Sequence, residues 1–385
     1  MVTPRVRRAV DDVDGPLAVL DVGALTRNAR ALVARAGGLP IRVASKSVRV
    51  PQVLDRVLAM EGFAGVLAFS LPEAIALSKR GVRDIVVAYP TTHTGAVREL
   101  AEHESLHSHI TVMIDSPEHL AFLSDVAPNA PLRLAIDLDG SLRLPGGIHI
   151  GTRRSPLREP DDVRSLAASI PEPYRLVGLM CYEGQVAGVG NAGRSPKQIA
   201  IRQIQRASMS DLASRRTATV AALREVADLE FVNGGGTGSL EVSAAEGSLT
   251  EVAAGSGLYS PGLFDHYGHF RHEPALFLAS PVVRRPGPDW VTVFEGGWIA
   301  SGALGPDRLP VVDWPAGLSL SPTEGYGEVQ TPLTGKAAAG LSLGDKVFFR
   351  HAKAGEVLEH FPAVAAVEDS TLSWWNTYRG EGWRF

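Results

Sequence analysis

Ile41-Arg42-Val43-Ala44-Ser45-Lys46, followed by the amphipathic stretch 51–60, is the unit whose repetition decides the fold. A short apolar run that is continuous rather than alternating fits a parallel strand buried on both faces. The longer stretch after it has helical spacing and opens on Pro51, a residue tolerated in the first turn of a helix. The same pair recurs in both directions along the chain. Short apolar runs stand at 17–22, 65–69, 85–88, 109–114, 132–138, 176–181, 229–233 and 249–253. Helical patterns occupy 25–36, 72–80, 117–126 and 199–226, two of them opening with the cap chemistry of Ser70-Leu71-Pro72-Glu73 and Ser116-Pro117-Glu118-His119. Alternating strand and helix implies right-handed βαβ units, hence a parallel barrel or an open doubly wound sheet. With the run at 17–22 set aside, eight remain, the number that closes a (β/α)8 TIM-like barrel.

Beyond about Pro274 the pattern changes. Short β-type runs at 276–283, 290–294, 347–350 and 363–367 follow one another without helices, separated by turns such as Arg285-Pro286-Gly287-Pro288 and Gly305-Pro306-Asp307. Such a succession predicts a second, mainly antiparallel β domain. Five of the six tryptophans, Trp374, Trp375 and Trp383 among them, lie at or beyond residue 298 and read as its aromatic filling.

The 385 residues suffice for two domains, and 45% apolar with 21% charged residues is ordinary for a globular protein. Lys plus Arg number 38 against 42 Asp plus Glu, a net charge of −4. No basic excess exists to drive binding to nucleic acid or an anionic membrane. The start of the chain carries Arg5, Arg7 and Arg8, then Asp11, Asp12 and Asp14, with no long apolar run, so a cytoplasmic location is expected. Cys181 is the only cysteine, which excludes an intramolecular disulfide and any multi-cysteine zinc or iron–sulfur site.

Lys46 ends the first of the eight runs, on the face where such barrels carry their active sites. A lysine desolvated there favours its neutral amine and can form an imine with a carbonyl; the alternative is a side chain snorkelling to water. Among the other lysines, Lys79 and Lys197 read as helix-surface residues, and Lys336 and Lys346 flank glycines in turns. Asn233-Gly234-Gly235-Gly236-Thr237-Gly238-Ser239 directly follows an apolar run. Its glycines let backbone N–H groups approach a phosphate, with Thr237 and Ser239 adding hydroxyl donors, although it matches neither G-x-G-x-x-G nor a P-loop. Gly255-Ser256-Gly257-Leu258-Tyr259, after the eighth run, offers further donors on the same rim. In a closed barrel the first and eighth strands are neighbours, so lysine and phosphate donors reach one small ligand. A phosphate-bearing aldehyde that forms an imine with lysine describes pyridoxal phosphate.

Further segments surround this pair. They are Pro16-Leu17-Ala18-Val19-Leu20-Asp21 with Asn28 after it, Asp137-Leu138-Asp139-Gly140-Ser141-Leu142-Arg143, Thr323-Glu324-Gly325-Tyr326-Gly327 and Arg350-His351-Ala352-Lys353. Together with the lysine and glycine segments they resemble the fold-type III pyridoxal-phosphate enzymes related to alanine racemase. The branch they resemble is that of D-threonine aldolase and D-serine dehydratase (amino-acid deaminase/aldolase). The resemblance implies a barrel over 24–270 and a β domain built from 1–23 plus 271–385. It also implies a homodimer and an amino acid as small-molecule substrate. Lys46 would hold the cofactor, Gly235, Gly236, Thr237, Gly255, Ser256, Gly257 and Tyr259 would line its phosphate, and Arg143 would stand near its ring. Tyr182 reads either as a ring or substrate contact or as a tyrosine packed in the rim. The implied activity is a lyase acting on a β-hydroxy amino acid of D configuration, by retro-aldol cleavage or dehydrative deamination. The alternatives are a racemase of the same fold, for which Tyr326 or Tyr378 would be the second base, and a non-catalytic carrier of pyridoxal phosphate.

In that branch a divalent metal is held by a histidine and, two residues later, a cysteine or aspartate, and it binds the substrate's β-hydroxyl. Here the pair reads His351-Ala352-Lys353, and a protonated lysine cannot ligate a metal. Three readings stay open. Glu356 or Glu324 supplies the ligand, the Lys353 ammonium takes over the electrostatic role, or Lys353 faces solvent in a degenerate site. His351 is the expected base for the β-hydroxyl, because free imidazole titrates near neutrality. His266, His269 and His272, beside Asp265 and Arg271, read as surface residues.

Overall fold

The computed structural model describes all 385 residues. Eight parallel strands close into a barrel: Ile41–Ala44, Phe63–Ala68, Ile85–Val87, Ile110–Ile114, Arg133–Asp137, Arg175–Cys181, Phe231–Gly234 and Glu251–Ala254. The closing pair joins the eighth strand to the first, Val252 opposite Ile41 and Ala254 opposite Val43. The expected cap residues act as such. Ser70 accepts from the Glu73 N–H at 3.2 Å and Ser116 from that of His119 at 3.4 Å.

The barrel interior is filled by Val86, Ala88, Met113, Ala135, Val177, Met180 and Phe231. Gly178 makes room for the Phe231 ring, since a Cβ there would come within 2.2 Å of it. Arg42, 2% exposed, ties the first strand to Glu251 of the eighth at 2.6 Å and to Asp84, before the third, at 2.9 Å.

Leu17–Asp21 lies outside the barrel, buried in all five positions. It pairs antiparallel with Leu276–Gly287 and parallel with Ala363–Glu368, inside a nine-stranded, mainly antiparallel sheet. Gln330–Thr334, Thr371–Asn376 and Val311–Trp314 belong to this sheet as well, beyond the runs read from the sequence. One apolar cluster of 76 buried residues runs through barrel and sheet alike. Hydrogen bonds also cross between them: Tyr378 Oη donates to Glu73 at 2.8 Å, and the Gly262 N–H donates to the His351 carbonyl at 2.9 Å. Two expectations about packing need correction. Trp374 is 52% exposed on its edge strand, and Lys346 is a buried strand residue whose ammonium donates to the Asp11 carbonyl. No helix is long and apolar enough to cross a membrane.

Candidate active site

At the carboxyl ends of the barrel strands, roofed by the second sheet, lies a cavity of about 560 Å³. Lys46 enters it from a single 3₁₀ turn, Ser45–Ser47, that follows the first strand. Its Nζ donates to Tyr89 Oη at 3.1 Å. Lys46 is exposed to the cavity rather than desolvated, because the strand ends before it and the cleft is open. Tyr89, just past the third strand, is therefore a partner that the sequence reading missed. Burial pushes its phenol up, but the positive charges of Lys46 and Arg154 outweigh it and leave the group below its ordinary value. Arg154 stacks its guanidinium 5.3 Å from the Tyr89 ring centre and 5.2 Å from that of Tyr182. Tyr182 lines the cavity, its phenol pushed up to about 12 by burial and the neighbouring Glu183 carboxylate.

The two glycine segments form the wall next to Lys46, and Gly235, Gly236, Thr237, Gly238, Gly255 and Ser256 all line it. Gly235 has φ +83°, a backbone conformation that side-chain-bearing residues rarely adopt. At Gly238 a Cβ would come within 2.2 Å of the Ala187 carbonyl, so the backbone here has no room for a side chain. The N–H groups of Thr237, Gly238 and Gly255 have no acceptor in the protein. Glycine-sized walls with free N–H groups suit a phosphate, and a primary amine on the adjacent strand suits an aldehyde. The residues present thus fit pyridoxal phosphate.

A buried carboxylate fixes this wall. Glu183, with no exposed side-chain area, accepts from the Gly235 N–H at 3.3 Å and from Ser239 Oγ at 2.7 Å. It also accepts from Ser243 Oγ and pairs with the equally buried Arg216 at 3.2 Å. Sequence alone offered no signal for this network beyond two charged residues at positions that turn out to be fully buried.

Other expected site residues lie elsewhere. Arg143 does not line this cavity: it lies on the hairpin of Leu142–Leu144 against Ile148–Ile150, Asp139 holds its guanidinium at 2.9 Å, and it lines an adjoining cleft that shares Thr152 and Arg154 with the main one. Arg154, beyond that hairpin, lines the cleft, as do Arg49 and Arg308. Tyr259 is fully buried with Oη donating to the Val48 carbonyl at 2.9 Å, and the Gly257 N–H is taken by Thr237 Oγ1 at 3.1 Å. Neither faces the cavity. Tyr326 and Tyr378 are also outside it, their hydroxyls donating to Pro310 and Glu73. His266 and His269 are exposed, but His272 is half-buried, bonding to Arg35 and the Gly257 carbonyl, with burial pushing its pKa down.

The second sheet and its loops contribute Ser301, Arg308, Lys353 and Glu356 to the cavity. Lys353 Nζ donates to the Ser301 carbonyl at 3.0 Å, and Glu356 accepts from the Ser301 N–H at 3.0 Å. Burial first, then the charges of Arg308 and Lys46, lower the Lys353 pKa. His351 is 1% exposed and does not line the cavity. Burial pushes its imidazole down to about 4, and its Nδ1 engages the Lys353 carbonyl at 3.0 Å while Nε2 has no partner. That orphan nitrogen is a single potential metal ligand. Nowhere do three His, Cys, Asp or Glu side chains converge, and Glu324 is exposed, so the residues do not fit a divalent metal.

Comparison with known proteins bears on the family and the fold. The family described as alanine racemase, N-terminal domain, matches residues 20–261. A D-threonine aldolase from Arthrobacter sp is 25% identical over 304 residues, spanning 77% of this chain and 75% of that protein. The crystal structure of D-threonine aldolase from Filomicrobium marinum superposes with a TM-score of 0.80 at 21% identity, covering 96% of each chain. D-threo-3-hydroxyaspartate dehydratase from a Delftia species gives 0.76 at 19% identity, over 96% of this chain and 98% of that one. A variant of a dehydratase of that name is described in a metal-free form. With 20–261 matched, the chain belongs to the family of the alanine racemase N-terminal domain.

Proposed function

We propose that the protein is a pyridoxal-phosphate lyase acting on a β-hydroxy amino acid of D configuration, by retro-aldol cleavage or by dehydrative deamination. The observation that carries this reading is Lys46 in one cavity with the free N–H groups of Thr237, Gly238 and Gly255. The names of the similar aldolases and dehydratase support the substrate class and its configuration.

The bound cofactor supplies a sink for the electron pair left at the substrate's Cα. The glycine wall would hold its phosphate through main-chain N–H groups and the Thr237 and Ser256 side chains, and Lys46 would hold its aldehyde. Arg154, held over Tyr89 and Tyr182, binds the substrate carboxylate and fixes its orientation. In the dehydrative route the Lys46 amine would receive the Cα proton. In the aldol route the β-hydroxyl would pass its proton to water in the cleft as the Cα–Cβ bond breaks and the aldehyde leaves, and Lys46 would return a proton to Cα. A racemase would need a second base at the opposite ring face, and the hydroxyls of Tyr326 and Tyr378 are engaged elsewhere. A simple carrier would have no use for the cavity wall formed by Ser301, Arg308, Lys353 and Glu356. A homodimer in the cytoplasm belongs to the same reading, and the lone buried Cys181 suits a reducing compartment.

Incubation of the holoenzyme with D- and L-threonine and D- and L-serine tests it. Glycine plus an aldehyde marks cleavage, and a keto acid plus ammonia marks dehydration. Turnover of the D isomers is expected; a product of inverted configuration with neither cleavage nor ammonia would support the racemase instead.

A further inference from the structure

The cleft has five cationic side chains on its wall, Lys46, Arg49, Arg154, Arg308 and Lys353, and one carboxylate, Glu356. Glu356 is engaged by a main-chain N–H, and Arg49 is paired with Glu359. Resting on the cofactor reading above, we propose that the Lys353 ammonium stands in for a divalent cation in this cleft. It binds the substrate's β-oxygen, so that turnover needs no metal.

Three observations carry the assignment. Lys353 Nζ spends one N–H on the Ser301 carbonyl, and an ammonium group has three, so two remain for a ligand oxygen. Arg308 stands on the same wall, its Nε without a hydrogen-bond partner and its Nη1 3.4 Å from the Asp307 carboxylate, and adds a second cation beside Lys353. The carboxylates that could have completed a metal site around His351 are engaged or exposed: Glu356 by Ser301, Glu324 toward solvent. The result is a cation without a metal. A fixed ammonium aimed at the β-oxygen stabilises the charge that grows there, on an alkoxide in cleavage or on departing hydroxide in dehydration. Lys353 forms no covalent bond and transfers no proton in this role. It holds the oxygen by charge and a hydrogen bond, and the unpartnered His351 Nε2 remains as half of a metal site that the chain does not complete.

The test uses the full-length protein. Wild-type holoenzyme is expected to hold well under one equivalent of metal by elemental analysis and to keep its D-threonine turnover in EDTA. Lys353→Met should lower kcat/KM for D-threonine by about 100-fold, the size of a lost oxyanion donor. The same variant should slow α-hydrogen exchange on D-alanine, which has no β-oxygen, at least tenfold less. Lys353→Cys and Lys353→Asp, titrated with Zn2+ and Mn2+ in a calorimeter without cofactor, should each bind one equivalent that the wild type does not. A stoichiometric metal in the wild type whose removal abolishes turnover would overturn the proposal. So would equal losses on D-threonine and D-alanine in Lys353→Met, or failure of both folded ligand variants to take up metal. Failure of the cofactor reading shows separately, as a wild-type protein that gives no visible absorption band with pyridoxal phosphate, whereas the metal titration needs no cofactor.

Discussion

Glu183 shows how much of the site depends on side chains that never meet a ligand. Its buried carboxylate gathers a main-chain N–H, two serine hydroxyls and the Arg216 guanidinium, which in turn pairs with Glu246. Removing one member of such a set leaves an uncompensated buried charge, a cost of about 3–5 kcal/mol. Arg216→Met should therefore lower unfolding stability by that amount in a urea titration. Glu183→Gln keeps the shape but loses acceptors for the glycine wall. It should weaken pyridoxal-phosphate affinity about tenfold, one charge-assisted hydrogen bond's worth, while pyridoxal, which lacks the phosphate, binds within about twofold of wild type. Glu73 makes a pH prediction. Burial pushes its carboxyl up to about 7, against hydrogen bonds from Ser45, the Phe69 N–H and Tyr378 that pull it down. The folded state thus keeps a proton that the unfolded chain releases near 4.5, so this group's contribution falls as pH rises from about 4.5 to 7. Glu73→Gln should lose that slope, at most about 1.4 kcal/mol per pH unit, in denaturation series across this window. Lys46 and the glycines were legible because their positions are set by the strands they follow. Tyr89 and Arg154 were not, since they become partners only when non-adjacent strand ends meet in the barrel mouth. Arg143 stands beside the main cavity, held by Asp139 on the hairpin that precedes Arg154.

The seam between the first and eighth strands is where the barrel closes, and Arg42 spans it. Its guanidinium makes paired contacts to Glu251 and to Asp84, and Glu251 also accepts from Asn233 Nδ2 at 2.8 Å. Arg42→Met would strand the buried Glu251 and is expected to cost about 3–5 kcal/mol in chemical denaturation, more than a surface ion pair. The barrel strands were legible because strands buried on both faces are continuous apolar runs. The connections were less so. Thr94–Glu102 is capped by a ring nitrogen of His93 rather than by a serine or aspartate, which hides its start. Pro160–Ala168 follows a segment dense in Arg, Pro and Gly that reads as loop. In the second sheet, Gln330–Thr334 carries Pro332 and Thr371–Asn376 is largely exposed on an edge, so neither shows the apolar run of an interior strand.

Barrel and sheet share one apolar core, and the cavity takes Lys46 from one and Lys353 from the other. This joint construction explains why Leu17–Asp21, first in sequence, is spent on the sheet: it pins the start of the chain between Leu276–Gly287 and Ala363–Glu368. The second domain also leaves Ile299, Leu304, Val311 and Val329 exposed. Such apolar groups are expected to be covered in a homodimer, and light scattering should return twice the chain mass; Leu304→Glu, at a fully exposed position, should raise the dimer dissociation constant. The most direct test of the whole account is the visible absorption spectrum of purified protein titrated with pyridoxal phosphate, wild type beside Lys46→Ala. One equivalent of cofactor should produce a visible band in the wild type that is absent from the variant. A wild type without that band, or a variant that shows it unchanged, would contradict the assignment of Lys46 and with it the reading of the cleft.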